Sequence, residues 1–215
     1  MAKLCVGDIP IGAMNWIRTE EVPEERFGLT LDTFIGKVDE NGVLRKSTWT
    51  GALNFVGVKT IIYNGLSYSF YNCTGITSVD LSSLQTIDSG GLHHAFYGCS
   101  GITSVNFSSL ITVSTEGFAY AFQGCSKLTS VDFSSLATVD NGGFAYTFQG
   151  CSKLTMISFP SLTSVTPTAL GSSMFYNCTA LTEIHFRADM QSTIETLSGY
   201  SDKFGATNAT IYFDL

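Results

Sequence analysis

The stretch FQGCSKLTSVDFSSLATVDNGGFAYT, residues 122–147, decides the fold of this 215-residue chain, because its pattern recurs along the sequence. In five successive blocks a cysteine stands three positions after a phenylalanine, and these cysteines recur with a period of 26 that is longer by one in the last block. A fixed period of this length predicts a solenoid, in which each block forms one coil and the coils stack on one another.

Each coil is predicted to contain a strand with one buried face. At the end of residues 128–133 apolar and polar residues alternate, so Val131 and Phe133 should point inward, and Ser130 and Asp132 outward. Stacking such strands produces a parallel sheet with neighbours about 4.8 Å apart. A second extended piece is expected around residues 136–139, and a third pass through residues 145–151 would close the coil.

The repeated pattern F-x-x-C-x-x-L-T-S-V-x-F-x-x-L-x-x-V, followed by a spacer and A-F-x-x-C, resembles the BspA-like leucine-rich repeats, also called the Treponema pallidum type. The resemblance covers about residues 53–186. It implies a β-rich, right-handed leucine-rich-repeat solenoid whose parallel sheet has about five to six coils. Such repeats are common in microbial surface proteins. Some of these are adhesins that bind host matrix proteins or other bacteria, and most have no established function.

Charged residues are concentrated in the two flanks of the predicted array. Residues 1–52 hold 14 of them and residues 187–215 hold six, which leaves nine across residues 53–186. Because an open parallel sheet exposes unpaired strand edges, we interpret the two flanks as caps. In the N-terminal cap, alternating segments at residues 29–38 and 43–49 around an Asn-Gly turn predict a β-hairpin.

The C-terminal cap is predicted to consist of a helix and a strand. Met190, Ile194 and Leu197 have helical spacing within residues 189–197, and residues 210–213 have the pattern of a last strand. Together these elements would close the final coil.

The five periodic cysteines, which we call the cysteine ladder, are interpreted as structural. They are Cys73, Cys99, Cys125, Cys151 and Cys178. Cβ atoms stacked in register lie about 4.8 Å apart, whereas a disulfide needs about 3.8 Å, so buried thiols that donate weakly to turn carbonyls are favoured over disulfides. No C-x-x-C string or histidine accompanies the ladder, so no metal site is predicted. Cys5 lies outside the ladder, and its state is open.

Two periodic rows of side chains form the candidate recognition surface. They are Tyr68, His94, Tyr120, Tyr146 and Ser173, two residues before each ladder phenylalanine, and Tyr71, Tyr97, Gln123, Gln149 and Tyr176, one residue after it. Aromatic side chains on a rigid surface can anchor a protein or stack on a sugar, although the rings could instead stack on one another and seal the coil corners. The outward face of the sheet adds Asp80, Asn106 and Asp132.

The sequence offers little support for catalysis, and no cofactor is predicted. His93 and His94 are adjacent and would point to opposite faces of an extended segment, while His185 stands alone. No G-x-S-x-G or H-E-x-x-H string occurs, and the glycine-rich stretches lack the lysine and helix of a phosphate-binding loop. The chain is therefore expected not to be an enzyme.

Charge and hydropathy limit the partners and the location. A net charge of −7 argues against nucleic acid and anionic membranes as partners, and no apolar run approaches the length of a membrane span. No export signal is evident, so a cell-surface location is expected only from the family resemblance, and a cytoplasmic or phage-associated one otherwise.

Two classes of function remain. The first is a non-enzymatic, adhesin-like module that binds a protein or a glycan, and the second is a structural or self-associating component of a prophage particle or surface assembly. The sequence does not predict the oligomeric state.

Overall fold

The computed structural model describes residues 50–55 and 57–215, together with the backbone of three short strands near the N-terminus. The β-hairpin predicted over residues 29–38 and 43–49 lies outside the described residues, as does the state of the Cys5 side chain. The domain boundaries at residues 52 and 186 remain predictions.

The described residues form strands β1 to β15 and three short helical segments near the C-terminus. The strands are β1 (Cys5–Val6), β2 (Ile9–Pro10), β3 (Ile17–Arg18), β4 (Thr50–Asn54), β5 (Thr60–Ile61), β6 (Gly75–Asp80), β7 (Thr86–Ile87), β8 (Ser104–Asn106), β9 (Thr112–Val113), β10 (Ser130–Asp132), β11 (Thr138–Val139), β12 (Met156–Phe159), β13 (Ser164–Val165), β14 (Glu183–Phe186) and β15 (Thr210–Phe213). The helical segments are a 3-10 helix (Ala188–Met190), α1 (Gln191–Ile194) and a second 3-10 helix (Tyr200–Gly205).

Successive coils pair their strands in parallel on two sides of the molecule. On one side β4, β6, β8 and β10 form a sheet, and the following coils form a second sheet of β12, β14 and β15. On the other side β5, β7, β9, β11 and β13 pair in order, and β3 adds antiparallel to β5. Val79 pairs with Val105 and Val105 with Val131, so the period of the sequence becomes the register of the sheet. The predicted parallel-sheet solenoid is confirmed.

Equivalent phenylalanines stack along the core. The rings of Phe70, Phe96, Phe122, Phe148 and Phe175 follow one another with centroids 5.1 to 6.0 Å apart and interplanar angles of 10° or less. All five are buried. Each such pair contributes about 0.5–1.5 kcal/mol beyond the apolar area that it buries, so the repeat stabilises its own stacking register.

The third side of each coil consists of consecutive turns, which we call the turn ladder. It comprises residues 64–72, 90–98, 116–124 and 142–150. Hydrogen-bond partners alternate along it: the Ala119 N–H donates to Glu116 O within the turn (3.0 Å), whereas the Tyr120 N–H donates to Ala145 O in the next coil (2.9 Å). Every second amide thus joins adjacent coils, which makes the turn ladder a structural counterpart of the sheets.

Every fourth residue of the turn ladder has a left-handed backbone. In one coil these residues are Glu116, Tyr120 and Gly124, with φ of 55°, 58° and 76°. Glycine and asparagine reach this region at the lowest steric cost, and Asn72 and Asn177 indeed occupy the position of Gly124 in other coils.

The C-terminal flank contains the predicted helix and strand, but the helix is shorter than predicted. A single α-helical turn, α1, follows a 3-10 turn. These two turns are enough to bring the side chains of Met190, Ile194 and Leu197 into the core, where all three are buried. The strand predicted at residues 210–213 is confirmed as β15, whose Phe213 pairs with Phe186 of β14.

Candidate functional site

Four aromatic rings from successive coils stack into one row, which we call the aromatic column. It consists of Tyr68, His94, Tyr120 and Tyr146. Consecutive centroids are 4.6, 4.4 and 4.7 Å apart, and the interplanar angles are 8°, 13° and 5°. This spacing is close to the distance between strands of a sheet, so one ring fits each coil. The rings therefore stack on one another, and they do so at the surface of the turn ladder.

The backbone of the turn ladder places these rings. All four residues of the aromatic column have a left-handed conformation, with φ between 54° and 58°. Because the same conformation recurs once per coil, each side chain leaves the backbone in the same direction. A non-glycine residue in this region costs about 1–2 kcal/mol, which the ring stack and the hydrogen bonds between coils offset. Tyrosine at these positions gave no sequence signal for a left-handed backbone.

A second column runs beside the first. The rings of Tyr71 and Tyr97 stack with centroids 4.7 Å apart and an angle of 3°, and in the next two coils the Gln123 side-chain N–H donates to the side-chain oxygen of Gln149. Tyr176 occupies the following position and is 51% exposed. We call the two columns together the aromatic plate. It unites the tyrosine, histidine and glutamine positions that the sequence assigned to two separate rows.

Stacking determines which parts of the rings solvent can reach. Tyr120 and His94 each have a ring on both faces, so only their edges remain available to a partner. Burial and the neighbouring Tyr97 and Tyr68 raise the pKa of Tyr71, and burial with Tyr146 and Glu116 nearby raises the pKa of Tyr120. Their hydroxyls therefore stay protonated at neutral pH and can donate hydrogen bonds.

The prediction that His93 and His94 point to opposite faces was wrong. Their ring centroids are 4.3 Å apart, and their Nδ1 atoms lie 3.0 Å from each other. The prediction assumed an extended backbone, whereas this segment forms a turn in which His94 has a φ of 54°. Burial lowers the pKa of His93, with Glu116 opposing the shift, and burial together with His93 lowers the pKa of His94 to about 4.

The candidate residues of the sheet face lie together in a shallow groove of about 440 Å³, lined by β6, β8 and β10. Asp80, Asn106 and Asp132 occupy equivalent positions there. The Oδ1 atom of each accepts a hydrogen bond from the backbone N–H two residues on, at 2.9, 3.0 and 2.9 Å. Since these side chains close the turns that follow their strands, they shape the coil as well as the groove surface.

The cysteine ladder is buried, and from Cys99 onward each of its thiols contacts the preceding coil. The Sγ atoms of Cys99 and Cys178 donate to Phe70 O and Phe148 O at 2.9 Å, and that of Cys125 donates to Phe96 O at 3.3 Å. Burial, and next the proximity of Cys73, raises the pKa of Cys99 to about 12. These are structural contacts, and a thiol with such a pKa is a poor nucleophile.

One polar cluster, around His185, was not predicted from the sequence. His185 Nδ1 lies 2.9 Å from Asp214 Oδ1, its Nε2 lies 3.3 Å from Glu183 Oε2, and its ring stacks on Tyr212 at 4.8 Å. Burial alone would lower the pKa of His185, but the hydrogen bonds to the two carboxylates outweigh it, so the pKa is raised. The alternation Glu-x-His along β14 was a signal for the Glu183 contact, but the Asp214 contact depends on β15.

Two further findings concern metals and membranes. Within residues 50–55 and 57–215, no group of three or more His, Cys, Asp or Glu side chains could hold a metal ion. In the same part of the chain, no helix is long and apolar enough to cross a membrane.

Comparison with known families identifies the repeat. The model of the BspA-type leucine-rich repeat region matches residues 66–201 in six copies. The chain belongs to the BspA-type leucine-rich repeat family. It is also similar to the crystal structure of a leucine-rich repeat protein from T. pallidum, TpLRR, with 18% identity, a TM-score of 0.49 and coverage of 91% of this chain and 83% of that one. No curated protein matches the sequence.

Membership of the BspA-type family points to a protein-binding or recognition module. Four of the family's repeats carry the aromatic column, one ring per repeat.

Proposed function

We propose that this BspA-type array is a non-enzymatic recognition module that binds a partner protein through the aromatic plate, in the manner of an adhesin. The observation that carries the proposal is the stacking of Tyr68, His94, Tyr120 and Tyr146 at 4.4 to 4.7 Å. Tyrosine provides a large contact area and a hydroxyl at a small entropic cost, which is why it is enriched at the centres of protein interfaces.

The stacking favours a protein over a glycan as the partner. A sugar ring binds an aromatic side chain by lying against its face, and in the middle of the column both faces of Tyr120 and His94 are already covered by neighbouring rings, so that only the end rings lack a neighbour on one face. Ring edges and hydroxyls, in contrast, suit the hydrogen-bonding groups of a polypeptide. The side chains are also held in place before binding, so little conformational entropy remains to be lost when the partner arrives.

An array of purified extracellular-matrix proteins and glycans tests this proposal. Tyr120→Phe/Tyr146→Phe removes two hydroxyls and keeps the rings, so we expect a loss of protein binding of tenfold or more with an unchanged melting temperature. Tyr63→Phe is the matched control, because Tyr63 is 71% exposed and lies outside the aromatic plate. Binding confined to glycans, or protein binding that survives the double variant and falls in the control, would reject the proposal.

A second candidate, a self-associating structural component, is favoured by β15. In the described part of the chain this strand is the last of its sheet, and its residues Thr210–Phe213 include no charge that would protect the edge. Light scattering over a range of concentrations should then show a defined oligomer that Thr210→Lys dissociates. A chain that stays monomeric at millimolar concentration would exclude this candidate.

A further inference from the structure

The aromatic column stops at Tyr146, because the next coil has serine at the equivalent position, and that coil also contains one extra residue. Between Phe144 and Thr147 the chain reads Ala-Tyr, whereas between the equivalent residues Leu170 and Met174 it reads Gly-Ser-Ser. Two serines therefore stand where the fifth ring of the column would be.

The hydrogen bonds between the coils locate this irregularity. The Phe144 N–H donates to Ala169 O at 2.9 Å, with the same offset along the chain as the bond from the Phe118 N–H to Gly143 O one coil earlier. The Phe148 N–H donates to Met174 O at 3.0 Å, which is one residue beyond that regular offset. The register thus slips by one residue directly above Tyr146. In paired β-strands, an extra residue of this kind re-aims side chains and is over-represented at sheet edges and next to active sites.

The side chains around the slip form what we call the notch, made of Tyr146, Gln149, Ser172, Ser173 and Tyr176. Tyr146 is 37% exposed and Tyr176 51% exposed, while Ser172 is also exposed. Among the described residues, Tyr146 stacks with Tyr120 alone. Its second ring face is thus not covered by another ring, in contrast to those of His94 and Tyr120.

We propose that the notch binds an aromatic side chain of a partner protein, whose ring stacks on the face of Tyr146 that no other ring covers and becomes the fifth ring of the column. The hydroxyls of Ser172 and Ser173 and the amide of Gln149 can meet a polar ring edge such as the indole N–H of tryptophan. No residue of the notch carries a charge that would balance a guanidinium, so a neutral ring fits better than arginine. This inference rests on the proposed function and names the chemistry that the aromatic plate recognises.

Titration of the full chain with N-acetyl-tryptophanamide tests the notch, with N-acetyl-leucinamide as the non-aromatic probe. We expect millimolar binding of the tryptophan amide, seen as chemical-shift changes centred on Tyr146 and at least tenfold weaker for the leucine amide. Replacing Ser172–Ser173 with a single tyrosine restores the regular coil, so this variant should melt at or above the temperature of the parent and should no longer bind the probe.

Tyr146→Ser provides a second variant, which should bind N-acetyl-tryptophanamide at least tenfold more weakly than the parent. Equal binding of the two amides, or binding that persists when the fifth ring is built into the chain, would overturn the proposal. Such a result would leave the protein-array test of Tyr120→Phe/Tyr146→Phe unaffected, because that test examines hydroxyls along the plate and not the second ring face of Tyr146.

Discussion

The Nδ1 atoms of His93 and His94 face each other at 3.0 Å in the middle of the aromatic column, where the imidazole of His94 lies between the rings of Tyr68 and Tyr120. A neutral pair can share one N–H between the two nitrogens, and a single added proton can still be accommodated. When both imidazoles are protonated, two donors and two positive charges face each other, and the contact becomes repulsive. The column is therefore expected to be sensitive to acid.

Lowering the pH should destabilise the fold through His94. Its pKa is about 4 in the folded chain and 6.5 in the unfolded chain, so between these values the unfolded chain binds more protons and stability falls as the pH falls. His94→Tyr introduces the residue found at this position in three other coils. As the pH falls from 7 to 4, we expect the free energy of unfolding of this variant to rise relative to that of the parent by on the order of 1–2 kcal/mol. Urea unfolding at several pH values measures this difference, and a constant difference across the range would contradict it.

His185 should show the opposite pH dependence. Its folded pKa is raised above 6.5, so its contribution to stability is fully present below pH 6.5 and is lost as the pH rises through the folded value. His185→Gln is thus expected to destabilise the chain more at pH 5.5 than at pH 8.5, and Asp214→Asn should reduce the shift. An NMR titration of the His185 imidazole checks the cause directly: a pKa at or below 6.5 would show that Asp214 and Glu183 do not stabilise the charged ring.

The sequence predicted those features of the fold that repeat with the coil. Val79, Val105 and Val131 recur once in every coil, and a strand pattern with period two has only one way of burying its apolar face, so the parallel sheet and its register followed. The turn ladder was not predictable in the same way. Tyr120 adopts a φ of 58° because its amide bonds to the next coil and its ring stacks on Tyr146, and both contacts join residues that are distant in the sequence.

The candidate site was likewise predictable only in part. The sequence identified the members of both columns by counting from the ladder phenylalanines, but it did not indicate whether their faces or their edges would be exposed. It also contained the extra residue before Phe175, whose effect on the column becomes clear only when Phe148 is seen to pair with Met174. The His185 cluster depends on β15 lying beside β14, which period counting within the repeats could not reveal.

Two glycines of one coil are expected to tolerate substitution differently. Gly124 has a φ of 76°, and a Cβ there meets nothing closer than 3.6 Å. Gly124→Asn should therefore be nearly neutral, as Asn72 and Asn177 occupy the equivalent position, whereas Gly124→Val should cost about 1–2 kcal/mol through the left-handed backbone. Thermal unfolding of the two variants measures the contrast, and equal losses would show that space and not φ is limiting.

Gly143 should not tolerate a side chain, because there is no space for a Cβ atom. A Cβ at this position would lie 2.6 Å from Val139 Cγ1 and 3.0 Å from Asp140 O, although its φ is not left-handed. We expect Gly143→Ala to cost about 1–3 kcal/mol, because the clash involves a buried branched side chain and backbone that cannot easily move. The double variant Gly143→Ala/Val139→Ala removes the clashing methyl and should cost less than the sum of its parts. Strict additivity in denaturant unfolding would contradict this explanation.

The cysteine ladder should be chemically inert until the chain unfolds. Cys125 and Cys151 are fully buried, and burial, together with the adjacent thiols, raises their pKa well above the usual value. In a Cys5→Ser background, so that only the ladder is observed, reaction with Ellman's reagent at pH 8 is expected to follow the rate of unfolding, with all five thiols reacting together in 6 M guanidinium. Cys125→Ala should lower the free energy of unfolding by about 1–2 kcal/mol, because it removes buried volume and the donor to Phe96 O. The remaining ladder thiols should then react with Ellman's reagent faster in proportion. Rapid reaction of one ladder thiol in the native chain would show that the stack opens locally at that coil.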